Sequence, residues 1–202
     1  MLNEIINEAK MANQIVVQLL EFVRPISLQV DPVSIETVRN RPGVEHTTIA
    51  VDPHPGLPTF QADRLLLRQL FTNLITNAVE AITEGGHIWV TSGYAVADAP
   101  ADPSEEPDYT CFVTVAIADD GPGIPAEVTE QIFSPFFTTK PRGSGLGLAI
   151  VRKIVNAHDG RIDVGPREGG GTQFRVRLPV PRPIRPPAGG PTTARTAGRT
   201  HV

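Results

Sequence analysis

Asn73 and Asn77, four residues apart in a stretch of helical pattern, are the first side chains of this chain whose type and spacing can do chemistry. On a helix the two amides share a face. An amide carbonyl is a hard, neutral oxygen suited to Mg²⁺, which keeps several waters and takes other ligands from phosphates. Asp119 follows an apolar run and opens Asp119-Asp120-Gly121-Pro122-Gly123. A carboxylate at a strand end can accept from an exocyclic amine such as that of adenine. An analogue without that donor leaves a buried acceptor unpaired, at a cost of roughly 1–3 kcal/mol. The glycines beside it let the backbone turn sharply and approach a flat ligand.

Gly143-Ser144-Gly145-Leu146-Gly147 opens a further helical pattern expected over residues 144–158. Free N–H groups and the positive end of the dipole at a helix start favour an anion. The run lacks the Lys-Ser/Thr of a P-loop, and no strand leads directly into it. Lys140 and Arg142, beside the glycines, can reach phosphates. Thr172 follows Gly169-Gly170-Gly171 at a strand start, where its hydroxyl could support Asp119 or a water at the base. Taken singly, these motifs also read as polar helix residues, an Asp-Gly turn or a flexible loop. Their order points to a pocket for Mg-ATP.

Residues 124–142 separate the two glycine segments and contain Phe133, Pro135, Phe136 and Phe137. They read as a lid whose aromatics fold down over nucleotide, or as a segment packed permanently on the core. The five histidines offer no metal or catalytic pattern. His46, His54, His87 and His201 have loop or strand-edge contexts without a paired acid, and His158 reads as a helix C-terminal residue favoured by the dipole.

The positioning elements follow from periodicity. Leu2, Ile5, Ala9, Ala12, Val16, Leu19 and Val23 step by threes and fours, the seam of a helix bundle, and Pro25 ends that helix near Arg24. Further apolar residues at Ile6, Ile15, Val17, Leu20 and Phe22 widen the stripe toward four-helix packing. Around Asp31-Pro32, residues 26–38 suggest a strand, a turn and a helix start, and residues 47–51 a short strand. Asp63 reads as the N-cap of a helix through Leu66, Leu70, Leu74, Ala78 and Ile82 to a stop at Gly85-Gly86. Residues 87–97 and 109–118 read as paired strands joined by an acidic loop, with a closing pair at 161–164 and 173–178. From Pro179 onward the Pro/Gly/Thr/Arg composition supports no core.

Composition bounds the rest. A chain of 202 residues with 40% hydrophobic content can bury one core, and a net charge of −4 gives no attraction to nucleic acid. The one cysteine, Cys111, forms no intrachain disulfide and is expected to point inward on a strand. No apolar run has the ~20 residues that span a bilayer.

The ordered motifs resemble the ATP-binding catalytic domain of two-component sensor histidine kinases, within the superfamily shared with gyrase, heat-shock chaperone and mismatch-repair ATPases. Ile132-Phe133-Ser134-Pro135-Phe136-Phe137-Thr138-Thr139-Lys140 is similar to the nitrogen-regulation branch. The resemblance covers residues 3–179 and implies a two-layer α/β sandwich of Bergerat type, a mixed sheet with helices on one face. It also implies three regions: residues 1–24 as the second helix of a dimerisation and phosphotransfer bundle, 25–180 as the ATP-binding domain, and 181–202 as a disordered tail. It implies Asn77 on Mg²⁺, Asn73 near the phosphates, Asp119 on the adenine amine, Gly121 and Gly123 at the base, and Gly143, Gly145 and Gly147 in the phosphate loop. Ile124, Thr139, Lys140, Arg142, Ser144, Leu146, Leu148 and Thr172 complete the implied ATP-binding set, with Asn73 and Lys140 as catalytic candidates.

Hydrolysing relatives carry a Glu where this chain has Asn73, a poor general base, which favours transfer of the phosphoryl group over hydrolysis. Glu80, about two turns further along, reads as badly placed to substitute. The family's phosphoacceptor histidine lies in a His-Glu-type motif that none of the five histidines matches. The expectation is therefore a part of a longer, cytoplasmic or membrane-anchored kinase that binds Mg-ATP but does not phosphorylate itself alone. Its expected partners are a response-regulator receiver domain and a second copy through the N-terminal helix. A superfamily ATPase or a nucleotide-binding regulatory module is the alternative.

Overall fold

The structure, a computed structural model, describes residues 2–33, 47–82, 85–96, 111–140 and 143–180. The expected helix start before Val38, the acidic loop at 98–108, Arg142 and the tail from 181 lie outside the described residues. Helix α1 spans Leu2–Val23 and ends where Pro25 removes a donor. Strand β1 (Asp31–Val33) pairs antiparallel with β3 (Phe60–Ala62). A five-stranded sheet has the order β2-β4-β5-β7-β6, formed by Thr48–Asp52, His87–Val96, Cys111–Asp119, Thr172–Val180 and Arg161–Pro166. Only β2 and β4 run parallel, so the sheet is mixed as expected. Helices α2 (Arg64–Ala81) and α3 (Gly147–Ala157) pack on it.

The core follows from two periods that meet. Leu67, Leu70, Phe71, Leu74 and Ala78 recur at helical spacing along α2, and Ile150, Val151, Ile154 and Val155 along α3. Opposite them, Cys111, Val113, Val115 and Ile117 alternate along β5, and their register partners Val180, Leu178, Val176 and Phe174 extend the layer. Cys111 is buried, as its strand position predicts. Among the described residues no helix is long and apolar enough to cross a membrane.

Asp63 caps α2 as its position predicts, its Oδ1 accepting from Leu65 and Leu66 N–H at 2.9 and 3.0 Å. Its Oδ2 accepts from Gln29 N–H at 3.0 Å, which ties the β1 lead-in to the helix start. Asp63 N–H donates to His158 Nε2 at 3.1 Å, and His158 Nδ1 lies 2.8 Å from Ile154 O. His158 thus sits at the C-terminus of α3, as expected, and also joins that end to the start of α2.

Two boundaries differ from expectation, and one strand was not expected at all. Asp31-Pro32, expected as a turn, lies within β1, where pairing with Gln61 and Ala62 overrides the local turn preference. Strand β3 has only three residues, too short for a period-2 signal. Helix α3 begins at Gly147 rather than Ser144, because Gly145 holds φ +69° and breaks the helical path.

Candidate functional site

A cavity of about 440 Å³ lies between α2, the ends of β5 and β7, the glycine loop and α1. Helix α2 contributes Asn73, Thr76, Asn77 and Glu80 at one-turn spacing. The sheet end contributes Asp119, Gly123 and Thr172, and the loop before α3 contributes Gly143, Ser144, Gly145 and Gly147. Ile124, Thr139, Lys140 and Leu148 also line it. Thus most of the expected residues share one cavity. Gly121 and Leu146 stand behind the wall: Gly121 faces the Asp119 carboxylate and Leu146 is wholly buried in the core.

Asp119 ends β5 and is 3% exposed. Its Oδ1 accepts from Gly121 N–H at 2.9 Å and Thr172 N–H at 3.3 Å. Among the described residues no hydrogen bond reaches Oδ2, which leaves one acceptor oxygen for a ligand. Burial raises the Asp119 pKa above the ordinary carboxylate value, with the neighbouring Asp120 charge acting the same way; the two N–H groups and Arg167 oppose the shift. Thr172 supports Asp119 through its backbone amide, whereas its hydroxyl was the expected donor. Gly171 makes this closeness feasible, since a Cβ there would stand 1.9 Å from Asp119 O.

At the other end, Lys140 Nζ lies 2.5 Å from Glu80 Oε2 and 3.5 Å from Asn77 Oδ1. A cation therefore already stands between an amide oxygen and a carboxylate oxygen. That donor set fits a hard divalent ion such as Mg²⁺. Asn73 Nδ2 donates to Gly147 O at 3.5 Å, joining α2 to the start of α3. Ser144 Oγ accepts from Leu146 N–H and hydrogen-bonds Gln18 of α1.

The aromatic segment is not a free lid. Ile132 belongs to the core, and Phe133 meets Phe174 edge to face at 6.4 Å and 82°. Arg152 lies 5.5 Å above the Phe133 ring. Phe136 alone projects, 60% exposed at φ +66°. Its N–H donates to Gly145 O at 3.0 Å, and a Cβ on Gly145 would meet the Phe136 backbone at 2.4 Å. The permanently packed alternative holds for Phe133, because its ring completes the core under β7.

Sequence reasoning missed three groups. Gln18 and Ile15 reach the cavity from α1, and nothing local to them signals it. Glu80, set aside as a base, lines the wall as Lys140's partner. His87, expected without an acid, places Nδ1 3.0 Å from Asp120 Oδ2, and its N–H donates to Asp120 Oδ1 at 2.8 Å. That backbone N–H, chiefly, lowers the Asp120 pKa; desolvation opposes it, and the imidazole adds to the lowering. The pairing spans 33 residues, so only the β4–β5 register reveals it.

A family profile described as histidine kinase-, DNA gyrase B- and HSP90-like ATPase matches residues 62–182. The sensor histidine kinase ZraS of Escherichia coli O157:H7 is 36% identical over 181 residues, covering 86% of this chain and 36% of its own length. The chain thus spans about a third of that relative. Full-length ShkA in complex with AMPPNP superposes with a TM-score of 0.66 at 28% identity, over 86% of this chain and 37% of that one. The histidine kinase ThkA in complex with the response regulator TrrA gives 0.64 at 30% identity, over 91% and 51%. With this fold and this cavity, the chain belongs to the histidine kinase-, DNA gyrase B- and HSP90-like ATPase family, and its ATP-binding catalytic domain is of the sensor histidine kinase kind.

Proposed function

We propose that this chain is the ATP-binding catalytic part of a sensor histidine kinase, transferring the γ-phosphoryl group of ATP to a histidine for relay to a response-regulator aspartate. The observation that carries the reading is one cavity lined by Asn73, Asn77, Asp119 and the Gly143–Gly147 loop. In this reading Asp119 Oδ2 accepts from the adenine 6-amino group, with Gly121 shaping the acid and Gly123, Ile124 and Thr172 the base pocket. Ser144, Gly145 and Gly147 present backbone N–H groups to the phosphates at the start of α3, while the N–H groups of Gly143 and Leu146, held by Lys140 O and Ser144 Oγ, shape the loop. Thr139, Lys140 and Leu148 flank them, and Arg142 directly precedes the loop in the sequence.

Asn77 would hold Mg²⁺, with Glu80 beside it, and the ion would supply charge neutralisation on the phosphates. Lys140 leaves Glu80 to meet the transferred phosphoryl group, and Asn73 orients the phosphates without acting as a base. In-line transfer needs such positioning and neutralisation more than covalent chemistry from the protein. Asn73 is a poor proton acceptor, which favours transfer over hydrolysis.

Residues 1–24 are read as part of the dimerisation and phosphotransfer bundle, 25–180 as the ATP-binding domain and 181–202 as a tail. The phrase from Ile132 to Lys140 supports the nitrogen-regulation branch. A receiver domain as partner is supported by the ThkA–TrrA complex, and a second copy through α1 by its broad apolar stripe. The use of ATP and a single cysteine, which forms no intrachain disulfide, fit the cytoplasm.

The test is calorimetric titration of a non-hydrolysable ATP analogue with and without Mg²⁺, against wild type and Asp119→Ala. Micromolar binding that depends on Mg²⁺ and on Asp119 supports the reading. A wild type that binds no analogue removes it. A histidine-bearing bundle protein supplied with ATP and the chain should then become phosphorylated.

A further inference from the structure

The sheet face turned away from α2 and α3 carries a row of side chains outside the cavity. His87 and Trp89 share that face of β4, and their rings stack at 5.7 Å and 22°. Arg167, from the turn between β6 and β7, lays its guanidinium over the Trp89 ring at 4.2 Å. The row ends on two consecutive acids. Arg167 Nε donates to Asp119 O at 3.2 Å and to Gly170 O at 2.8 Å. His87 N–H donates to Asp120 Oδ1 at 2.8 Å, and Asp120 N–H returns a bond to His87 O at 3.3 Å.

These contacts bear on Asp119 through its donors. Oδ1 is held by Gly121 N–H and Thr172 N–H, which belong to two separate segments, 119–121 and 170–172. Arg167 is bonded to both segments, so it fixes their spacing. His87 fixes the first at its middle residue, Asp120. A hydrogen bond weakens steeply with misalignment, so a small shift between the segments would swing Oδ2 off its target.

We propose that the His87–Trp89–Arg167 row is the positioning array for Asp119, and that it carries the discrimination between adenine and purines lacking the 6-amino donor. The proposal rests on the nucleotide reading above. It has a second consequence: Trp89 is the single tryptophan of the chain, so its emission reports occupancy of the base site.

The experiment titrates wild type, Arg167→Ala and Arg167→Lys by calorimetry with Mg²⁺ and two non-hydrolysable triphosphates, one of adenosine and one of purine riboside, and records Trp89 emission in parallel. Arg167→Ala should weaken the adenosine analogue about tenfold, the ratio that ~1.4 kcal/mol represents, and leave the purine riboside analogue within about twofold. Arg167→Lys, which keeps a cation over the ring, should recover part of the ratio. Emission should change on binding in wild type and not in Arg167→Ala. Both ligands read the same folded population, so partial unfolding cancels in the ratio, and Trp89→Phe repeats the calorimetric ratio, without the emission readout, if Arg167→Ala does not fold. An unchanged ratio, or equal loss of both ligands, overturns the positioning role alone. A wild type that binds neither analogue overturns the nucleotide reading and this proposal with it.

Discussion

Asp119 divides its two oxygens between the protein and the cavity, and that division has measurable consequences. Asp119→Asn keeps a carbonyl oxygen for Gly121 and Thr172 N–H but turns a donor toward the base site. Analogue affinity should fall by the equivalent of roughly 1–3 kcal/mol while the melting temperature moves little. Equal affinity in mutant and wild type would remove the base-acceptor role. The raised pKa adds a pH dependence. Because burial favours the neutral form, Asp119 protonates at a higher pH than an ordinary carboxylate. Analogue binding should therefore weaken on acidification before the ordinary carboxylate range is reached, and the wild-type titration should lose this step in Asp119→Asn. The acid itself was legible, since it ends an apolar run and opens an Asp-Gly turn. Its surroundings were not: the partner of Asp120 comes from a strand 33 residues away and the Arg167 contact from a turn 48 residues away.

At the scale of elements, capping and close approach decide where the site sits. Asp63 holds the start of α2, so Asp63→Ala should cost about 1 kcal/mol from the cap, and more from the orphaned Gln29 and Leu66 N–H groups. Burial acts to raise the Asp63 pKa, but N–H bonds from Leu66, Gln29 and Leu65 together with His158 outweigh it and lower the value. The stabilisation it gives is thus fully present above the ordinary 3.8 and is lost as pH falls through the depressed folded-state value. Acid denaturation of wild type and Asp63→Asn should separate above 3.8 and converge below it; parallel curves would contradict this. The turn between β6 and β7 gives a sharper contrast. Gly171 has φ +96° and no room for a Cβ against Asp119 O, whereas a Cβ on Gly165 would meet nothing within 4 Å. Gly171→Ala should lower stability by about 1–3 kcal/mol and abolish analogue binding, with Gly165→Ala near wild type. A Gly171→Ala protein that binds normally would contradict the close approach. Periodicity gave β4, β5, β7, α2 and the Asp63 cap in advance, because each has several residues of one pattern. Three-residue β1 and β3 lack enough residues to show a period, and pairing alone creates them.

At the scale of the whole molecule, α1 is bound to the catalytic layer at few points among the described residues, and one of them, Gln18 with Ser144, touches the site. Lys153 of α3 donates to Phe22 O and, at 2.6 Å, to Arg24 O, and lies 5.5 Å over the Phe22 ring. One ammonium thereby satisfies carbonyls that the end of α1 leaves without intrahelical partners, at the negative end of its dipole. Gln18, one turn earlier, meets Ser144 in the glycine loop. The seam of α1 was legible from its threes and fours, but its docking surface was not, since these contacts span more than 120 residues. Val16, Leu20 and Val23 remain exposed along α1, so little burial reinforces the contact. If Lys153 is the main tie, Lys153→Met keeps the stem's packing and removes only the charge and its donors. Backbone amides at the C-terminal end of α1 should then exchange with deuterium about fivefold faster, the effect of losing ~1 kcal/mol in a local opening equilibrium. Amides of α2 and β5 should keep their wild-type rates, because their protection comes from the core beneath them. Unchanged exchange in α1 would show that Gln18 and Phe22 hold it without the lysine. A uniform increase across α2 and β5 would show instead that Lys153 supports the whole layer.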